Sequence, residues 1–490
     1  MSEFNRISLA VVLVGVWCLW CLWLIVRHNR NKPKVDLQAN ILVAYASQSG
    51  TAATLASKKA AELASLGKVN LLPLDSVCKQ TLSNTQKAHF IVSTYGQGEP
   101  PDNGHKFYNE LYTKDAVTDL SHMRYSVTAL GDSSYEHFCA FGHNLNKQLT
   151  KLGAQSEAAI TEIDSQTHGN FDTHDSPMAT VTNWKLTQRE CLNPNSASDP
   201  LYLLAFSVKP SETSDIPQWR AGDVISIQPK HHLETVLAWL QTHQLDAEQS
   251  ITTGESRVSL KEFLLEYALP EQLQVPASEP LNWLDSLKLL PKREYSVASA
   301  EHEKQLKLIV RLQHQANGQA GIGSGWLTQF SELNDITQGH IRSNNRCHID
   351  DVTRPLLLVA AGSGLAGLRA QLAERASNPN AGKVCMFYGE RNPEQDQMLK
   401  DELQQWQQQG VIIDLHYAYS QHPKTPAYVQ DVMDLNADKI RAIVHQGADI
   451  YVCGNKAGMG DGVHQVLNKH LGQENVSALL STGRYRRDLY

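Results

Sequence analysis

Apolar residues along this chain form one long run at the amino terminus and then short runs separated by loops and helical stretches. The long run, Ile7 to Val26, holds 20 uncharged residues. A helix of that length spans a hydrocarbon core of roughly 30 Å, and no small-residue cleavage site follows it. The pattern therefore predicts a transmembrane anchor over residues 1–30. From residue 38 to about 180, the runs Asn40–Ala46, Ala88–Thr94 and Tyr125–Leu130 each break into a polar loop, and a helix begins near Ala52. That alternation predicts a doubly wound α/β domain. From about Pro200 the character changes. Tyr202–Val208, Asp223–Gln228, Glu294–Val297 and Leu306–Leu312 are strand-like, with Gly and Pro between them, which predicts a β-barrel over 195–350. A helical insert over about 231–290 interrupts it, where Ser259 to Tyr267 shows helical periodicity. Over 351–490, the runs Pro355–Ala361, Val384–Tyr388, Val411–Tyr417 and Asp449–Cys453 alternate with helical stretches, the pattern of a parallel sheet.

Composition narrows the class. The 490 residues suit roughly three domains. Lys plus Arg is 44 and Asp plus Glu 51, a net charge of −7, so nucleic acid is not an expected partner. Eight scattered Cys exclude a disulfide scaffold. Arg27, His28, Arg30, Lys32 and Lys34 follow the apolar run, whereas the leader holds only Arg6 against Glu3. The positive-inside rule then predicts a single-pass membrane protein whose catalytic part faces the cytoplasm. Cys18 and Cys21 sit inside the apolar run and read as helix filler. The 20 His are dispersed, without metal-ligand pairing.

The chemistry lies in the loops after the strands. Ser47, Gln48, Ser49, Gly50 and Thr51 enter a helix at Ala52, where backbone N–H groups and the helix dipole suit a phosphate. Thr94-Tyr95-Gly96-Gln97-Gly98 and Leu130-Gly131-Asp132-Ser133-Ser134-Tyr135 follow the next two strands. In a doubly wound sheet such loops converge on one crevice, and two tyrosines there can sandwich a flat ring. The segments Tyr45 to Ala52, Ser93 to Asn103 and Ala129 to Cys139 closely resemble the FMN domain of diflavin reductases. That family includes cytochrome-haem reductases and the flavoprotein subunit of sulfite reductase. The resemblance implies an FMN phosphate held by Ser47 to Ala52 and a flavin ring between Tyr95 and Tyr135. Thr94, Gly96, Gly98, Leu130, Gly131, Asp132 and Phe138 then complete the pocket.

Two further signatures follow. Arg293-Glu294-Tyr295-Ser296 resembles the Arg-x-Tyr-Ser motif of ferredoxin-reductase-like FAD domains. There the Arg meets the FAD pyrophosphate, the Tyr packs on the flavin and the Ser lies near flavin N5. Gly321, Gly323 and Ser324 match that family's second phosphate turn. The helical insert is short for a connecting domain. Gly362-Ser363-Gly364 sits between strand and helix, the context of a nucleotide turn. The family pattern continues Ala-Pro-Phe-Arg; here Gly367 and Leu368 replace Pro and Phe, and Arg369 is kept. Around the adenosine 2′-phosphate, relatives carry Ser-Arg and Lys-x-Tyr-x-Gln. This chain has Ser420-Gln421 and Tyr428-Val429-Gln430, with Lys424 as the nearest cation, which predicts relaxed NADPH/NADH selectivity. Ser296, Cys453 and Asp488 match the residues that surround the nicotinamide. The carboxyl end, Arg484 to Tyr490, resembles the end of the sulfite-reductase flavoprotein, which implies a Tyr490 ring on the FAD that moves aside for hydride transfer.

The resemblance thus implies an α/β protein: one transmembrane helix, a flavodoxin-like domain, then a ferredoxin-reductase-like module of FAD barrel and nicotinamide-binding domain. It implies electrons moving from NADPH, or NADH, through FAD and FMN to a haemoprotein or other one-electron metal acceptor. A sulfite reductase flavoprotein component, a ferric-chelate reductase and a non-catalytic flavin relay remain as alternatives. Residues 36–184 hold 10 Lys/Arg against 15 Asp/Glu, a sign that suits a basic partner.

Overall fold

The computed structural model describes residues 35–490 apart from 37, 48–50, 95–97, 99, 105–106, 109–110, 112–118, 132–137, 165–180, 209–216, 254–255, 271–281, 316–317 and 423–427. The chain divides into two units, residues 1–174 and 175–490.

The first unit is built on β1 (Ile41–Ala46), β2 (Val69–Pro73), β3 (Lys87–Ser93), β4 (Arg124–Gly131), β5 (Gln155–Ser156) and β6 (Thr161–Asp164). The sheet order is β2-β1-β3-β4-β5, with β6 also on β4, and its pairs are parallel. This is the flavodoxin-like order. Continuous apolar runs explain it: β1 and β3 are buried on both faces, as parallel strands covered by helices must be. The order reverses between β1 and β3, so the loops after both strands leave at one switch point, the usual ligand crevice of such sheets. Helix Ala140–Lys151 covers β4 closely. A Cβ on Gly142 would stand 2.4 Å from the Ala129 Cβ.

The second unit begins with an antiparallel barrel: β7 (Thr182–Cys191), β8 (Leu201–Val208) and β9 (Val224–Ile227), then, beyond an insert holding β10 (Ser250–Thr253) and β11 (Ser256–Ser259), β12 (Arg293–Ser296), β13 (Leu306–Arg311) and β14 (Ile336–Arg342). The order is β12-β9-β14-β7-β8-β13. A bridge between Val297 and Leu308 links the two outer strands. Trp184, Trp219, Ile225, Val310 and Trp326 fill the interior. Sequence pattern alone did not reveal β7 and β14. β7 reads TNWKLTQREC and buries only alternate residues in its first half, and β14 carries few apolar residues (ITQGHIR). In the insert, the Ser259–Tyr267 periodicity condenses to a short helix, Leu260–Leu264. Ser259 ends β11 and caps that helix with Glu262, and Tyr267 bridges to Leu289.

The last five strands, β15 (Leu356–Ala361), β16 (Val384–Glu390), β17 (Ile412–Tyr419), β18 (Asp449–Gly454) and β19 (Tyr485–Leu489), form a parallel sheet in the order β17-β16-β15-β18-β19. The carboxyl tail is therefore an edge strand, with Asp488 in register with Cys453.

The expected single-pass membrane placement is overturned, and the expected transmembrane anchor is not shown. Among the described residues no helix is long and apolar enough to cross a membrane. The longest of them, Thr51–Leu63, has 13 residues, about 20 Å against a core of roughly 30 Å. The run 7–26 that suggested the anchor, with Cys18 and Cys21, lies outside the described residues.

Gly142→Val should lift the Ala140–Lys151 helix off β4 and cost about 1–3 kcal/mol by overpacking. A lowered thermal midpoint of the flavodoxin-like unit is the expected readout; an unchanged one would refute the close contact.

Candidate active site

The sharpest constellation lies where the barrel meets the parallel sheet. Tyr451 and Cys453 point to one face of β18, as residues two apart on a strand do, and β19 brings Asp488 opposite them. β12 contributes Ser296 from the barrel. Its hydroxyl donates to Asp488 Oδ2 at 2.7 Å, the Tyr451 hydroxyl donates to the same oxygen at 3.1 Å, and the Cys453 thiol does so at 3.4 Å. Burial pushes the Asp488 carboxyl above its ordinary range; the hydrogen bonds from Ser296, Cys453 and Tyr451 and the charge of Arg342 pull against it. Burial, reinforced by Asp488, pushes the Cys453 thiol far up. Cys453 is thus a protonated donor, not a thiolate nucleophile. Sequence reasoning singled out Ser296, Cys453 and Asp488 and missed Tyr451. Its signal was the two-residue spacing from Cys453 on a strand.

Tyr490 is tethered beside this group. Its N–H donates to the Gly454 carbonyl at 3.1 Å, and its carbonyl accepts from the Lys456 N–H at 3.2 Å. Its hydroxyl pairs with Ser363 Oγ at 2.7 Å, and the residue as a whole is 55% exposed. Ser363 belongs to the Gly362–Gly364 turn. A Cβ on Gly364 would fall 2.1 Å from the Cys453 carbonyl, so only glycine lets the turn lie against β18. Beneath it, Arg311 pairs with the buried Glu390 at 3.0 Å, and Tyr388 donates to Glu390 at 2.8 Å.

One expectation is corrected here. Arg369 does not face a nucleotide. All five of its N–H groups are used: to Glu402 at 2.9 and 2.6 Å, to Glu303 at 3.0 and 2.9 Å, and to the Ala298 carbonyl at 2.6 Å. Glu303 and Ala298 lie between barrel strands β12 and β13, so Arg369 ties that barrel corner to its own helix, Leu365–Ala376. Ser324 is likewise committed. Its hydroxyl accepts from the Gln313 N–H at 3.0 Å and donates to the Gly321 carbonyl at 3.4 Å, which shapes the turn and leaves phosphate contact to backbone N–H groups.

The remaining predicted residues fall as follows. Gly323 lies against Arg293 and Tyr295; a Cβ there would stand 2.6 Å from Arg293 Cγ and 2.8 Å from the Tyr295 hydroxyl. Arg293 makes no ion pair among the described residues, which leaves its charge available to a pyrophosphate beside the Gly321–Ser324 turn. In the flavodoxin-like unit, the Ser47 N–H donates to Asn103 Oδ1 at 3.1 Å, Thr51 starts a helix and Ala52 is buried. Thr94 donates its N–H to the Leu130 carbonyl at 2.8 Å and accepts from the Phe141 N–H at 3.3 Å, which joins the β3 and β4 loops. Gly98 has φ 100°. A Cβ on Gly131 would stand 2.8 Å from the Phe138 ring. Gln48, Ser49, Gly50, Tyr95, Gly96, Asp132 and Tyr135 lie outside the described residues, as does Lys424. Ser420 and Gln421 sit at the end of β17, their N–H groups bonded to Glu390 and Arg391 carbonyls at 2.9 and 2.8 Å. Tyr428 is exposed, and Gln430 packs at the position of Gly462.

Comparison with known proteins agrees with this division. Residues 43–174 match the flavodoxin family model, and residues 358–465 match the oxidoreductase NAD-binding domain. The chain is 25% identical to the sulfite reductase [NADPH] flavoprotein alpha-component of Shewanella sp. (strain MR-7), over 94% of this chain and 91% of the relative. It is 25% identical to the same component of Vibrio cholerae serotype O1, over 92% and 87%. For that of Bacillus subtilis (strain 168) the identity is 24%, over 94% and 90%. The chain belongs to the diflavin reductase family. This diflavin reductase is an NAD(P)H-dependent oxidoreductase that uses FMN, FAD and NADPH.

Glu303 shows how strongly the reductase relies on the Arg369 clamp. Burial opposes its ionisation, yet the bonds to Arg369 and Lys307 pull its carboxyl down to about 2. A depressed carboxyl stabilises the fold above its unfolded value, and that contribution is lost as pH falls from about 4.5 to about 2. Arg369→Met should cost about 3–5 kcal/mol, because it strands buried carboxylates. It should also flatten the acid dependence in that window. Urea unfolding across pH is the check.

Proposed function

We propose that this reductase takes hydride from NADPH at the face formed by Ser296, Cys453 and Asp488, and passes electrons from its flavodoxin-like unit to a haem- or metal-containing protein. The observation that carries the reading is the register of Asp488 opposite Cys453, closed by the 2.7 Å bond from Ser296. It gathers the two halves of a hydride site from barrel and sheet. Bound FAD and FMN supply the redox chemistry, accepting an electron pair and releasing single electrons.

The chain's own residues supply position and charge. Arg293 and the Gly321–Gly323 turn hold the FAD pyrophosphate. Ser296, fixed by Asp488, presents its hydroxyl at the flavin ring. The Gly362–Gly364 turn receives the nucleotide, and Tyr490 releases Ser363 as the nicotinamide enters. Ser47 to Ala52 hold the FMN phosphate, with Tyr95 and Tyr135 on the ring and Thr94, Gly98, Gly131 and Phe138 shaping the pocket. Ser420, Gln421, Lys424, Tyr428 and Gln430 line the adenosine end. The relatives' names, sulfite reductase flavoprotein alpha-component, favour a haem-containing partner of that type as the acceptor.

Purified protein reconstituted with both flavins should hold two per chain, and anaerobic NADPH should bleach the flavin band rapidly. Fewer than two flavins, or no bleaching, defeats the proposal. Because the Arg and Lys of the 2′-phosphate site are absent, each a charge-assisted contact of about 1.5–3 kcal/mol, NADH should also serve. A kcat/KM preference for NADPH above about a hundredfold would contradict this. Tyr490→Ala should tighten nucleotide binding and shift that ratio, measured by the same kinetics.

A further inference from the structure

Asp488 collects its three donors on a single oxygen, Oδ2. Two come from residues that the family motif brings to the site. The third, Tyr451, is completely buried in β18 and reaches Asp488 across a narrow gap against the helix that follows the nucleotide turn. At the nearest point of that helix stands Gly367, where the family pattern has proline. A Cβ on residue 367 would come 2.6 Å from the Tyr451 hydroxyl and 3.0 Å from Cys453 Sγ. Any larger residue displaces one or both. A side chain at 367 would therefore crowd the Tyr451 hydroxyl in this packing.

We propose that Tyr451, given room by Gly367, is a positioning residue for hydride transfer, holding the Asp488 carboxylate in place beneath Ser296. The inference rests on the hydride site proposed above. Ser296 donates its one proton to Asp488, so the direction of the Ser296 hydroxyl follows the carboxylate. With Tyr451 and Cys453 on β18 and Ser296 on β12, Oδ2 is fixed from two sides, and the carboxylate cannot rotate without losing a bond. The charged and titratable groups facing it are few. Arg342 acts from β14, where it is also paired with Glu294 of β12 at 2.8 Å. Tyr490 lies two residues further along the tail, and Cys347 stands near Tyr451 and Cys453. The one carboxylate among these side chains, Glu294, is paired with Arg342, so loss of the Tyr451 bond is registered directly by Asp488.

The test is Tyr451→Phe, which keeps the ring and removes the hydroxyl. The Asp488 carboxyl is titrated by infrared difference spectroscopy, with Asp488→Asn as the assignment control. The rate of flavin reduction by NADPH is followed across pH on the flavin-loaded full chain. Removal of a donor to the carboxylate should move the Asp488 titration up by about 0.5–1 pH unit. The acid limb of the reduction rate should follow it. Gly367→Ala should produce a shift of the same sign, and the double variant should shift no further than Tyr451→Phe alone, as coupled residues do. An unmoved Asp488 titration in Tyr451→Phe overturns the proposal even if the rate falls. Should wild-type flavin not be reduced at all, the hydride-site reading fails, whereas the infrared titration still reports on Tyr451.

Discussion

One carboxylate oxygen holds the catalytic half of this protein together. Asp488 Oδ2 accepts from a barrel strand through Ser296 and from the parallel sheet through Tyr451 and Cys453. A buried carboxylate is costly unless its lone pairs are filled, and the donors that fill them come from two different architectures. The requirement therefore acts on the relative placement of barrel and sheet. It also explains the placement of β19 beside β18. Only a parallel β19, in register with β18, delivers an acid to the level of Cys453.

A second buried network acts on the same junction from the other side. Arg369 spans Glu303 and the Ala298 carbonyl on the barrel and Glu402 on the nucleotide domain, and Lys307 adds a bond to Glu303. A network whose donors and acceptors are all used orients two bodies more strictly than an apolar contact of equal area, since small rotations break several bonds at once. Hydride transfer is steep in distance and angle. Two polar fastenings, one at each side of the turn that meets the nucleotide, serve that need.

Much of this was legible in the residues, and the exceptions have physical causes. The loops after β1, β3, β4, β13 and β15 stood out because phosphate and flavin sites demand glycine, hydroxyls and special turns. β7 and β14 were hidden because a barrel strand with one solvent face shows apolar residues only at alternate positions, and Lys185, Gln188 and Arg189 dilute even those. Arg369 was misread because a motif records that an arginine stands there, not which way it points; the acids that claim it are 66 and 33 residues away. Tyr451 went unnoticed because its two-residue spacing from Cys453 shows only a shared strand face, and the acid it meets arrives from β19, 37 residues away. The apolar run 7–26 suggested a membrane span by its length, composition and flanking charges, and it lies outside the described residues.

The nucleotide turn also shows how charge is kept out of the way of recognition. Glu390 ends β16 directly under Gly362, and a bare carboxylate there would repel any phosphate. Burial raises its carboxyl, against the charge of Arg311, and Arg311 and Tyr388 occupy it at 3.0 and 2.8 Å. Arg311 in turn is anchored by the Asp199 carbonyl at 2.8 Å. The pairing offsets its charge, so in the proposed site a nucleotide would meet the N–H groups of Gly362–Gly364 and the start of the Leu365–Ala376 helix. In that proposed arrangement those groups would read a pyrophosphate, which NADPH and NADH share. Discrimination between the two must then come from the far end, at Ser420, Gln421 and Tyr428, where the family's Arg and Lys are missing. A neutral turn and a cation-poor adenosine end thus act in the same direction. They make the nucleotide a substrate recognised by its shared part, with the choice between donors left to weak contacts at its edge.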